Sequence, residues 1–352
     1  MSFFYDFPAV KGVQAKREYY ITMVPLKLLI KLFPSDHDIV QPEYRAQRRI
    51  NEVRIPEIRD YIIDNRSNYV FSALSASIDG FFEFQEISNG IGRLKIDMDS
   101  IFLINDGQHR KAAIEEALNE DESLKDETIA IVLFQDQGLK RSQQMFTDLN
   151  KHAVKTSNSL STLYDSRDSI AIATKDVINK VPFFSQYTDK ERDILGKNSS
   201  KLFTLSTIYK ANTRILSGSS CNKKAHDFLI NYWYCVAENI FEWKELMNRQ
   251  ITKKTLRENY IITLAVTLNA LGKLGKNFYD CQDINMQKTL TSLYNIDWLR
   301  SNEENWLGRT IRYDGKVMNN ETAVTLTCSK IKQLLGLSLS KEEKIKENTL
   351  NR

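Results

Sequence analysis

Apolar and polar positions fall into two patterns along this chain, one for each half. In the first half, PLKLLIKLF (residues 25–33) sets lysines between apolar pairs and predicts a short amphipathic helix. Residues 43–65 predict a longer helical region, with Ile50, Val53, Ile58, Tyr61 and Ile62 on one side and Pro56 breaking or kinking it. VFSALSASI (70–78) reads as a buried strand. Asp79-Gly80 is a hairpin signal leading into a second strand, FFEFQEI. Residues 93–97 and 101–105 give two more short strands. The stretch IFLINDGQHRKAAIEEAL (101–118) then runs from an apolar strand through a polar turn into a helix with Ala113, Ile114, Ala117 and Leu118 on one face. Another strand, IAIVLF (129–134), precedes a helical segment over 139–150. This order predicts an α/β (α+β) domain with functional groups at the strands' carboxyl ends.

After about Arg167 strand signals fade. Helical patterns cover 169–180, 206–217, 224–248 and 255–273, with Leu264, Leu268 and Leu271 forming one stripe. The expected organisation is an α/β domain over 1–167, a mainly α-helical domain over 168–340, and a solvated tail, KEEKIKENTLNR, over 341–352.

Composition narrows the function classes. The 352 residues are 42% apolar and 27% charged, enough to build a core and inconsistent with a wholly disordered chain. The net charge of +4 is too small for histone-like binding, so any nucleic-acid contact has to come from a local patch. Cys221, Cys235, Cys281 and Cys328 form no C-x-x-C pair and read as reduced thiols, with no metal site expected. The start of the chain lacks the pattern of a secretory signal, and the greasiest stretch, 261–271, is too short to span a bilayer. A cytoplasmic protein without membrane contact is the expectation. No G-x-x-x-x-G-K-[ST] loop and no H-E-x-x-H motif occur.

Candidate chemistry concentrates at Asp106-Gly107-Gln108-His109-Arg110. A turn that opens a helix directly after a strand offers free backbone N–H groups and the positive end of the helix dipole to an anion. Asp106 can cap the helix, Gly107 permits close backbone approach, and Arg110 is a bidentate phosphate donor. His109 can donate or shuttle a proton. From spacing alone, an ordinary capped helix with surface polar residues accounts for the pentapeptide equally well.

The pentapeptide resembles the DGQHR motif, whose family belongs to the ParB/sulfiredoxin-like fold group. Gln108 stands where sulfiredoxins carry their cysteine, which excludes sulfinic-acid reduction. Beyond the motif, FPAVKGVQAKREYY (7–20), YRAQRRINEVRIPEIRDYI (44–62), YVFSALSASIDG (69–80), FTDLNKHAVKTSNSLSTLYDSRD (146–168) and the block from Trp298 to KIKQLLGLSL resemble the DndB family of DNA sulfur modification. The resemblance implies a ParB/sulfiredoxin-like N-terminal domain and a DNA-binding transcriptional regulator of bacterial phosphorothioate modification. Its implied partners are double-stranded DNA at the promoter of its own modification operon and other phosphorothioation proteins. For the wider family it leaves open ATP with Mg2+ as a ligand and hydrolysis or DNA nicking as an activity. In that rival reading Asp106 helps hold a metal ion and His109 acts as acid–base. A homodimer is expected from the two-fold habit of regulators.

Three further groups have paired readings. Arg45, Arg48, Arg49, Arg54 and Arg59 form a phosphate-tracking face, or a solvated face balanced by Glu43, Glu52, Glu57 and Asp60. Asn150, Lys151 and His152 with Lys155, Thr156 and Ser159 return to the strand ends beside the DGQHR turn and add phosphate donors, or form a surface loop. Trp298, Trp306, Arg309 and Arg312 stack on bases, or the tryptophans anchor a core, which is the stronger reading. His37 and His226 have no evident partners.

Overall fold

A computed structural model describes residues 3–33, 52–135, 138, 143–145, 147–149, 156–196, 199–281 and 283–350. The chain folds as two compact units, Met1–Val154 and Lys155–Arg352. Among the described residues, no helix is long and apolar enough to cross a membrane.

The first unit is built on a seven-stranded mixed sheet. Its strands are β1 (Phe4–Gln14), β2 (Arg17–Pro25), β3 (Leu74–Asp79), β4 (Phe82–Ser88), β5 (Ile91–Asp97), β6 (Ile101–Asp106) and β7 (Thr128–Gln135), in the order β4-β5-β1-β2-β7-β3-β6. All neighbours are antiparallel except β3 and β7. Its helices are α1 (Leu26–Leu32), α2 (Arg54–Asp64) and α3 (Gln108–Glu120). Pro56 causes no break: α2 starts two residues before it, so the missing N–H falls in the first turn, where none is bonded within the helix.

Only Gly80 and Phe81 separate β3 from β4, and only Met98, Asp99 and Ser100 separate β5 from β6, yet each pair lies five strands apart in the sheet. Five spacings are about 24 Å in a flat sheet, beyond the reach of such links at roughly 3.5 Å per residue. The sheet therefore curls until its edges approach. Tyr5 of β1 meets Phe102 of β6, four places away, with ring centroids 6.2 Å apart. The inward face carries Phe7, Tyr20, Val24, Leu74, Ala76, Ile78, Leu94, Ile96, Ile104, Ile131 and Leu133, all buried together with Leu29 of α1 and Ile114 of α3.

The Asp79-Gly80 hairpin is thus a correction: β3 pairs with β6 and β7, and Gly80 (φ +144°) starts a link to the far edge. The hairpins lie elsewhere. Ala15-Lys16 joins β1 to β2, and Asn89-Gly90 joins β4 to β5, with both residues of each pair at positive φ. These are the type I′ turns that match strand twist.

The second unit is mainly helical: α4 (Asn158–Tyr164), α5 (Ser169–Lys180), α6 (Pro182–Tyr187), α7 (Leu205–Leu216), α8 (Lys223–Asn239), α9 (Phe241–Met247), α10 (Lys253–Asn259), α11 (Ala265–Asp280), α12 (Met286–Leu290), α13 (Glu303–Trp306), α14 (Glu321–Leu334) and α15 (Lys341–Leu350). Strands β8 (Thr188–Asp189) and β9 (Phe203–Thr204) form a small parallel pair. At the tightest crossing, a Cβ on Gly272 of α11 would sit 2.6 Å from the Ala211 carbonyl oxygen of α7.

Two expected helices are divided. The 224–248 pattern splits at Ile240, and the 255–273 pattern splits at residues 260–264. There the Ile261 N–H donates to the Trp298 carbonyl and the Arg300 N–H to the Asn259 carbonyl, so tertiary pairing replaces helical bonds. The expected solvated tail is a second correction. Glu343 of α15 is 2% exposed and accepts Lys332 Nζ of α14 at 2.9 Å; Glu347 accepts Arg309 at 2.7 Å. Periodicity missed this helix because its buried face is carboxylate rather than apolar.

Buried carboxyls make stability in this unit sensitive to substitution and to pH. Glu343→Ala leaves the buried Lys332 ammonium uncompensated and lowers unfolding free energy by about 3 kcal/mol in urea denaturation. Burial beside Trp243 in α9 pushes the Glu242 carboxyl up to about 7 from its ordinary 4.5, and nearby Glu245 and Asp297 add to the rise. The folded state therefore holds this proton more tightly, a stabilisation present in full below about pH 4.5 and lost as pH rises through 7. Glu242→Gln is expected to be more stable than its parent by about 3 kcal/mol at pH 8 and by less than about 1 kcal/mol at pH 5.

Candidate functional site

The DGQHR turn begins with a bulge. Ser75 pairs with Asp106 and Ala76 with Ile104, leaving Asn105 as the extra residue of β6. Its side chain is fully buried; Nδ2 donates to Ser77 Oγ at 2.7 Å and approaches Met145 Sδ at 3.2 Å. Asn105 Oδ1 and the Nε2 of buried Gln108 have no hydrogen-bond partner among the described residues.

Gly107 is the N-cap of α3 and adopts φ +106°. A Cβ there would lie 2.2 Å from Leu74 Cδ2, so glycine is required both by conformation and by space. The helix has no side-chain cap and no acidic residue in its first turn. The expected Asp106 cap is corrected: that half-exposed carboxylate instead accepts Arg110 Nη2 at 2.6 Å.

Arg110 is mostly consumed by the protein itself. Its Nη1 donates to the carbonyls of Ser72 at 2.7 Å and Ala73 at 3.1 Å, and to the Ser72 hydroxyl. The guanidinium thus latches α3 to the segment entering β3, with Nη1 on backbone carbonyls and Nη2 on Asp106. His109 is half-exposed on the same first turn. The start of the helix is uncapped, with the Asp106–Arg110 pair beside it.

A sequence profile described as DndB, DNA-sulfur modification-associated, matches residues 7–338. The chain belongs to the DndB family. No curated protein and no solved structure matches it.

Within this DndB-family chain, the other anticipated site residues separate. Arg59 of α2 is surrounded by Asp60 at 2.7 Å, Glu120 at 3.3 Å and Glu116 at 3.7 Å. Its hydrogen bond to Asp60 holds its pKa up, and its charge is already balanced, so it does not belong to an open DNA-tracking face. Arg54 is exposed where α2 begins. Arg45, Arg48, Arg49, Asn150, Lys151, His152 and Lys155 lie outside the described residues. One premise for the 150–155 loop changes: β7 runs antiparallel to β6, so its carboxyl end lies at the opposite end of the sheet from Asp106. Met145 nonetheless reaches back to Asn105.

Trp298 and Trp306 are fully buried and stacked, with centroids 5.4 Å apart, as expected of core anchors. Arg309 is buried against Glu347, and Arg312 is exposed beside Asp314. His226 has a partner that sequence spacing did not reveal, Asp176 at 2.8 Å. Sequence reading also missed Asn105, Ser72 and Ala73. Asn105 had a visible signal, a polar amide ending the apolar run IFLI; Ser72 and Ala73 act through backbone carbonyls and had none.

Gly107→Ala is expected to destabilise the first unit by about 2–3 kcal/mol, combining positive-φ strain with the Leu74 clash. Thermal unfolding followed by circular dichroism measures it.

Proposed function

We propose that this DndB-family protein is a DNA-binding transcriptional regulator of the DNA phosphorothioate modification system, with duplex DNA from the promoter of its own operon as its partner. Family membership supplies the role in DNA sulfur modification. The observation that carries the DNA reading is the start of α3, which lacks both a side-chain cap and first-turn acidic residues. The positive end of the helix dipole there favours an oxyanion. A backbone phosphate docked at that turn takes over part of the role of Asp106 toward Arg110. One anion replaces another, so the guanidinium is never left without a counter-charge. Exposed Arg54 adds a sequence-independent contact.

The regulator reading predicts that binding weakens as salt rises, with a log–log slope of about −0.9 per phosphate contacted. It also predicts that the operon promoter is bound more tightly than random duplex of equal length. Arg110→Gln lowers affinity for both duplexes by about tenfold, the loss of one charge-assisted contact. Electrophoretic mobility shift across a salt series reads all three, and equal affinity for promoter and random duplex defeats the regulator assignment. The same samples incubated with ATP and Mg2+ and with supercoiled plasmid report hydrolysis and nicking. Turnover that His109→Ala abolishes while DNA affinity persists replaces regulation with catalysis at this turn.

A further inference from the structure

The break between α10 and α11 opens a cavity of about 300 Å³ in the helical unit, lined by Arg257, Arg300, Thr204, Thr207, Ala265 and Asp193 among others. Arg300 is half-buried, and backbone carbonyls position its guanidinium: Nε donates to Tyr260 at 3.2 Å and Nη2 to Arg257 at 2.6 Å. Arg257 Nη2 donates in turn to the carbonyls of Ser199, at 2.7 Å, and Lys201. Burial lowers the pKa of both arginines.

The other half-buried or buried arginines among the described residues, Arg59, Arg66, Arg110, Arg214 and Arg309, each meet a carboxylate within 4 Å. Arg300 meets none among the described residues. A cation withdrawn from water without a counterion is costly, and here that cation faces a cavity.

The walls include the starts of two helices. Thr204 caps α7 through its hydroxyl, bonded to Thr207 N–H and hydroxyl. The 16-residue α11 begins at Ala265 with no side-chain cap and no acidic residue in its first turn. The carboxylate of Asp193 also lines the space, but its oxygens are already taken by the N–H groups of Asn158 and Ser159 and by their side chains, at 2.7–2.9 Å. Those bonds outweigh its burial and hold its pKa down at about 2. Its oxygens are directed at the start of α4, and its negative charge stays on that wall.

We infer that this cavity is a phosphate-binding site, in which Arg300 and Arg257 pair with the anion while the uncapped first turn of α11 supplies neutral donors. The volume admits the phosphate of a small phosphorylated molecule, and a nucleic-acid backbone offers the same group. The site lies in a different unit from the DGQHR turn and does not depend on the role assigned there.

The test uses the full chain with inorganic phosphate as probe, against chloride at equal ionic strength. Phosphate is expected to raise the thermal midpoint saturably and to shift the amide resonances of Ala265 and Val266. Arg300→Gln is expected to weaken that binding at least tenfold, whereas Lys288→Gln, exposed on α12, leaves it unchanged. An Arg300→Gln chain that binds phosphate as well as its parent overturns the inference, as does a parent without a saturable response. If Arg300→Gln fails to fold, the parent alone decides: unmoved resonances at Ala265 and Val266 overturn it, and saturable shifts there uphold it. Competition identifies the source. Displacement by a mononucleotide assigns the site to a small ligand, and displacement by a short duplex assigns it to a DNA backbone.

Discussion

The length of two connections governs the first unit. Strands five places apart are joined by two and three residues, and a flat sheet cannot satisfy both links. Curling gives the sheet an inside, which aromatic and β-branched residues of β1, β2, β4 and β6 fill together with α1 and α3. It also fixes where β6 ends. At that point Leu74 of β3 stands so close that only glycine fits at position 107, and the helix starts abruptly without room for a capping side chain. The candidate anion site is therefore a consequence of how the sheet closes, expressed through one backbone position.

Arginine chemistry in this protein is decided by neighbours rather than by the side chain itself. Arg59 and Arg66 sit among carboxylates and tie α2 and the segment after it to α3 and the start of β7. Arg110 is a latch, its charge shared between Asp106 and two carbonyls. Arg309 is buried against Glu347 and fastens α15 to the core of the second unit. Arg300 has backbone carbonyl support and no carboxylate opposite among the described residues. Identical side chains thus serve as structural ties where an acid lies opposite, and elsewhere rest on backbone carbonyls at the wall of a cavity.

Local signals in the sequence carried much of the architecture. The strand–turn–helix run over 101–118, the IAIVLF strand, the amphipathic helix after Pro25 and the helical second half all arise from periodicity, which neighbours in sequence determine. The motif could be located for the same reason, as five consecutive residues at one junction. Strands β1 and β2 escaped that reading although Ala15-Lys16 lies between them, because neither residue is among the usual turn formers. Asp79-Gly80 misled where Asn89-Gly90 was the true hairpin: a turn dipeptide shows that the chain bends, while strand order decides what it bends toward.

Sequence alone determined the element types, the family, and the placement of glycine and charge at the start of α3, since all of these are encoded within a few residues. Only the tertiary structure decided that Asp106 pairs with Arg110 instead of capping, that an apparent polar tail is a docked helix, and that two arginines share a cavity. Each of those outcomes depends on groups far apart in the chain, brought together by strand order and helix breaks that short-range periodicity does not specify.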